Sequence, residues 1–147
     1  MNQPKIHTLT SNTPKFSVFS NTKTKIHPVQ DEPQYMTIID GKTTYQGQVV
    51  NGKKTGLGIY VDRSAHVECN GEWLDDNLHG KGTIRNYFDN FTFTGEFDTN
   101  QMVYGTMTWP DGTTYTGAFE NNEMHGMGKL VWPNGMKYEG RFTHGSF

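Results

Sequence analysis

Cysteine is nearly missing from this 147-residue chain, with Cys69 standing alone. No internal disulfide can form, and the usage fits a reducing, cytoplasmic compartment. Apolar residues are scarce too, at 33 % with a mean hydropathy of −0.74. That is lean for a domain built around one central core. No apolar run approaches the roughly 20 residues of a membrane-crossing helix, and the N-terminus lacks the apolar stretch of a secretory signal. A mitochondrial presequence fits poorly, because residues 1 to 30 contain no arginine while Pro4, Pro14 and Pro28 interrupt any amphipathic helix. No Gly-x-x-x-x-Gly-Lys-Ser/Thr loop is present. No Ser or Cys nucleophile has a readable histidine and carboxylate partner, so the sequence predicts a non-enzyme with no cofactor.

What the chain does have is a period. An aromatic-x-Gly triplet recurs as Tyr45-Gln46-Gly47, Cys69-Asn70-Gly71, Phe93-Thr94-Gly95, Tyr115-Thr116-Gly117 and Tyr138-Glu139-Gly140, in steps of 24, 24, 22 and 23 residues. A second landmark follows inside the units: Gly56-Leu57-Gly58, His79-Gly80-Lys81-Gly82 and His125-Gly126-Met127-Gly128. A third closes them: Trp109-Pro110-Asp111-Gly112 and Trp132-Pro133-Asn134-Gly135. A fixed period of this size marks an array whose units contact only their neighbours. It shifts the functional expectation from catalysis toward binding.

The triplet, the His-Gly-x-Gly segment and the Asp-Gly or Asn-Gly turn together resemble the MORN repeat family. The likeness covers residues 36 to 147 and is fullest in the fourth unit, from Tyr115 to Asn134-Gly135. The first unit has Thr55 where the histidine would stand, with His66 at its closing turn. The third has Val103-Tyr104-Gly105, one residue short. The resemblance implies an interaction module. Such repeats occur in radial spoke-head proteins of cilia, in junctophilins, and beside lipid kinases and methyltransferases. It thereby suggests a cytoskeletal or axonemal setting for a short chain.

Alternation within the units gives the fold without the resemblance. Residues two apart on a strand share a face, so Phe93, Gly95 and Phe97 point one way, and Glu96 and Asp98 the other. The expected fold is all-β, an elongated single-layer antiparallel meander of about ten strands. At roughly 4.8 Å per strand it would run about 45 Å. Asp40-Gly41, Asp111-Gly112 and Asn134-Gly135 read as turns needing positive φ, with Asn90 in the same slot. Each triplet glycine is expected to be a notch filled by the ring of the adjacent strand. Trp73, Phe97, Phe119 and Phe142, each two residues past a triplet glycine, are candidates for one aromatic face offered to a partner.

Residues 1 to 35 differ in kind and read as a flexible or partner-ordered tail. Up to Gln30 they carry four lysines and no acid, whereas residues 36 to 147 carry nine Lys/Arg against thirteen Asp/Glu, a balance of −4. Phe16 and Phe19, with Val18, are the tail's candidate anchors. The acidic repeats lack the basic stripe that nucleic acid requires. His79 and His125 are spread along the array, too far apart to share a metal, and are expected to hold their loops through backbone hydrogen bonds. The sequence therefore points to a structural or scaffolding subunit whose partners are other proteins. The alternative is a peripheral membrane adaptor on anionic phospholipid, disfavoured because Lys53-Lys54 is the repeats' only basic pair.

Overall fold

The computed structural model describes residues 32–147; Phe16 and Phe19 lie outside them. Ten strands follow in chain order: β1 (Gln34–Asp40), β2 (Thr43–Val50), β3 (Lys53–Asp62), β4 (Val67–Leu74), β5 (Asn77–Asn86), β6 (Phe91–Asp98), β7 (Gln101–Thr108), β8 (Thr114–Glu120), β9 (Glu123–Val131) and β10 (Lys137–Phe142). Each pairs with the next, all antiparallel, in one open sheet ordered β1 to β10. The expected meander is thus the observed fold, and its first strand begins at Gln34, two residues before the boundary expected from composition.

The register explains the period. Gly47, Gly58, Gly71, Gly82, Gly95, Gly105, Gly117, Gly128 and Gly140 are paired in succession, forming one glycine furrow from β2 to β10. At the triplet glycines Gly47, Gly95 and Gly117 the furrow is filled by the ring of their own strand and the backbone of the next, and not by an adjacent ring as anticipated. The adjacent strand's ring fills it at the partner glycines Gly58, Gly105 and Gly128. The rings of Tyr45, Phe93 and Tyr115 lie over the glycine of their own strand and reach its paired glycine on the next. A β-carbon on Gly58 would strike the Tyr45 ring, and one on Gly105 would meet Phe93 Cζ at 2.7 Å. The Tyr45 hydroxyl then donates to the Gln48 carbonyl at 2.8 Å, and that of Tyr115 to the Ala118 carbonyl at 2.7 Å. Those bonds hold the ring over the glycine pair.

The next unit covers the ring edge-on. Phe119 meets Phe93 at a centroid distance of 5.1 Å, and Phe142 meets Tyr115 at 4.9 Å. With Phe93–Phe97, Tyr115–Phe119 and Tyr138–Phe142 these contacts make an unbroken zipper from Phe97 to Phe142. Each such pair adds about 0.5–1.5 kcal/mol beyond the area it buries. Cys69 interrupts the zipper in the second unit, where it packs fully buried beside Leu78 and Ile84. Ahead of that break, Trp73 packs edge-on against Tyr45 and Tyr60 and donates its indole N–H to the Gly58 carbonyl at 3.0 Å.

The second strand of these units runs through the His-Gly-x segment, which is a bulge inside the strand and not a turn. Three residues of β3, β5 and β9 (55–57, 79–81, 125–127) oppose one residue of the partner strand, Gln48, Glu72 or Ala118. Gly80 takes φ +107 there, a value that side chains resist. The Glu72 carboxylate accepts the Lys81 amide at 2.7 Å, as Gln48 accepts that of Leu57. In β7 the bulge holds Val103 alone, which accounts for the missing residue.

The tight turns lie just before the bulges, at Asn51-Gly52, Asp75-Asp76, Thr99-Asn100 and Asn121-Asn122, with both residues of each pair at positive φ. This is the type I′ geometry that matches strand twist. The wider turns are at the opposite edge, closed by His66, Asn90, Gly112 and Gly135.

Candidate interaction site

Trp73, Phe97, Phe119 and Phe142 are between 1 and 7 % exposed. The structure places them on one face as expected, but with their surfaces spent on the triplet rings: Phe97, Phe119 and Phe142 within the zipper and Trp73 against Tyr45 and Tyr60. Two wide turns add half-buried tryptophans, Trp109 and Trp132, at the margin of this face.

These two turns are built alike. The Trp109 amide donates to the Thr113 carbonyl and the Gly112 amide to the Trp109 carbonyl, at 3.0 and 2.9 Å. Trp132 repeats the pattern with Met136 and Gly135 at 2.8 and 2.9 Å. Proline after the tryptophan sets φ for the first turn position. Asp111 and Asn134 each accept the amide two residues on, at 2.8 and 2.9 Å. The Thr113 bonds hold the Asp111 carboxyl below its usual range, so it stays ionised. Rigid turns therefore hold Trp109 and Trp132 in the same attitude on successive units.

Between them opens a cavity of about 680 Å³. Its floor is the ring face, at Met124, Leu130 and Phe142. Its walls are Trp109, Pro110, Trp132 and Phe147, with Asp89 and Asp111 at the rim. Phe147 is 65 % exposed even though it stacks on Tyr138 at 4.4 Å. An apolar concavity with few polar groups is the usual form of a binding pocket. Sequence reasoning did not single out Trp109, Trp132 and Phe147, the rings that line this cavity. The Trp-Pro pairs were visible and were taken only as turn landmarks.

At the other end of the array the same face holds a buried cation. Lys54 is 1 % exposed, its Nζ 5.4 to 5.8 Å from the ring centres of Tyr45, Tyr60 and Trp73 and 3.3 Å from Asp76 Oδ1. Burial pushes its ammonium down to about 8, against the pull of Asp76. Lys54 stands where Leu78, Met102 and Met124 stand in the later units. Burial likewise pushes the Cys69 thiol up to about 12, so that thiol is packing and not a nucleophile. Among the described residues no group of three or more His, Cys, Asp or Glu could hold a metal ion. Among them, too, no helix is long and apolar enough to cross a membrane.

The histidines of the bulge do bond backbone, but across units. His79 Nδ1 accepts the Thr99 amide at 3.2 Å, and His125 Nδ1 accepts the His144 amide at 3.3 Å. Thr55 does the same for Asp75 through Oγ1 at 3.1 Å, which explains why Thr can replace His.

The family model for the MORN repeat matches residues 45–64, 69–85, 93–114 and 115–137. No curated protein matches the chain.

Proposed function

We propose, from the premise that this chain belongs to the MORN repeat family, that it is a non-enzymatic scaffolding subunit that docks another protein in the Trp109–Trp132 cavity. MORN repeats are commonly protein- or membrane-interaction modules. The observation that carries the protein reading is the cavity itself: two half-buried tryptophans on hydrogen-bonded turns and the exposed ring of Phe147 over an apolar floor. Tryptophan in such a pocket is the usual anchor of a protein interface. A cytoplasmic, cytoskeletal or ciliary axonemal assembly is the setting we propose, and it rests on family analogy alone.

The lipid-adaptor reading draws less support. Of the repeats' one adjacent lysine pair, Lys54 is buried among rings, which leaves only Lys53 of that pair to meet an anionic surface. The test is capture from the source cell with wild-type protein, Trp132→Ala and Lys53→Glu side by side, identifying the retained proteins by mass spectrometry. Proteins retained by wild type and Lys53→Glu but lost with Trp132→Ala support the proposal. Equal retention by all three overturns the cavity as the docking site. Sedimentation with anionic vesicles that depends on Lys53 would favour the adaptor instead.

A further inference from the structure

The two bulge histidines are built as acid-sensitive latches between units. Each accepts a backbone amide through Nδ1, His79 from Thr99 and His125 from His144. An accepting nitrogen carries no proton, so both neutral rings hold their hydrogen on Nε2. In His125 that Nε2 lies 3.1 Å from Glu120 Oε1, which fixes the tautomer. A proton added to either ring must go to Nδ1, the atom that holds the latch. Once protonated, that nitrogen becomes a donor facing another donor.

Carboxylates stand beside both rings. Asp98 at the end of β6 places Oδ1 3.4 Å from His79 Nδ1 and also accepts the Thr99 hydroxyl at 3.0 Å. The imidazolium can therefore exchange the Thr99 amide for the Asp98 carboxylate. Around His125 the facing groups are Glu120 from the end of β8, and His144 from the turn after β10, whose ring centroid is 5.0 Å away. Glu123, on β9 itself, is 3.3 Å from His144 Nδ1. Two carboxylates thus compensate a second positive charge in this cluster. Thr55 latches through a hydroxyl, which takes up no proton, and Val103 offers no acceptor at all.

We infer that mild acid opens the His79–Thr99 and His125–His144 latches, loosening the turn edge at two seams of the array while the Thr55–Asp75 seam stays closed.

The test is a pH titration of the full chain by NMR. The Thr99 and His144 amide protons should move upfield as their hydrogen bonds are lost, each with the midpoint of its own imidazole, while the Asp75 amide stays in place. His79→Thr and His125→Thr, which copy the Thr55 slot, should remove this movement at 99 and 144 respectively. Imidazole nitrogen shifts at neutral pH supply a check that needs no variant: both rings should show Nδ1 unprotonated. Amides at 99 and 144 that ignore the imidazole titration, or a neutral ring protonated at Nδ1, would overturn the inference.

Discussion

The Tyr45 ring occupies the space that a β-carbon on Gly58 would need, on the strand next to its own. Ring and glycine are therefore one packing unit, repeated by Phe93 with Gly105 and by Tyr115 with Gly128. This relationship makes the furrow specific, and it sets the first expectation.

Gly58→Ala should destabilise the array by about 1–3 kcal/mol, since the methyl must displace a buried ring. Gly117→Val should do at least as much, because the Tyr115 hydroxyl stands 2.7 Å from the new β-carbon and Gly128 backbone is nearer still. Urea melts decide the matter. Stability equal to the parent in both would mean that the furrow is not filled as described.

Trp73→Ala removes a ring that is 3 % exposed and bonded to the Gly58 carbonyl. A loss of about 3–5 kcal/mol is expected. Because Cys69 already breaks the zipper in this unit, no second ring is placed to compensate. A loss under about 1 kcal/mol, against the usual large-to-small cost, would contradict the burial.

Lys54 gives a stability profile with a definite sign. Its folded-state value near 8 lies below the ordinary 10.5, so between these limits the unfolded chain holds more protons and stability rises with pH. Tyr45, Tyr60 and Tyr115 are pushed the other way by burial. The unfolded chain loses their protons first, and stability falls above about pH 10. Melting temperature should thus climb from pH 7.5 to a maximum before pH 10 and then drop. Lys54→Met, which copies Met102 and Met124, should abolish the climb while keeping the drop. It should also match or exceed the parent at pH 7, as replacing a buried charge often does. A flat parent profile over the climb would show that Lys54 is not desolvated.

Asn100 binds one unit to the previous one: Oδ1 accepts the Leu78 amide at 2.8 Å and Nδ2 donates to Asn77 at 2.7 Å, with φ at +68. Asn100→Ala loses both bonds and strains the turn, for an expected cost of about 1–3 kcal/mol. Asn100→Asp, which copies Asp76, should retain the Leu78 bond and most of the stability. Equal losses in the two variants would show that the acceptor is not what matters.

The architecture was legible because landmarks of one type recur at one spacing, and only neighbour-on-neighbour stacking satisfies that. Four of the turns were harder. Asp75-Asp76, Thr99-Asn100 and Asn121-Asn122 contain no glycine and so carry no strong turn signature, and Asn51-Gly52, which does, was overlooked beside the more conspicuous Gly-Leu-Gly. The bulge was hidden for another reason: Gly80 at positive φ looks the same in sequence whether it turns the chain or kinks a strand. Lys54 reads as half of a surface pair until it is aligned with Leu78, Met102 and Met124. The cavity could not be read, since Trp109 and Trp132 become walls only when two units lie side by side.

The third unit's shortened bulge has a mechanical meaning. Strands β7 and β8 pair only from Tyr104 to Thr108, whereas β3 and β4 pair from Gly56 to Asp62. No side chain at position 103 latches the following turn. In a meander whose strands are linked in series, tension between the two ends of the ribbon peels strands apart one hydrogen bond after another and does not shear many at once. The joint with the fewest bonds gives way first. Under load the ribbon should therefore part between residues 108 and 114, splitting into a piece that keeps the Lys54 cage and a piece that keeps Trp132.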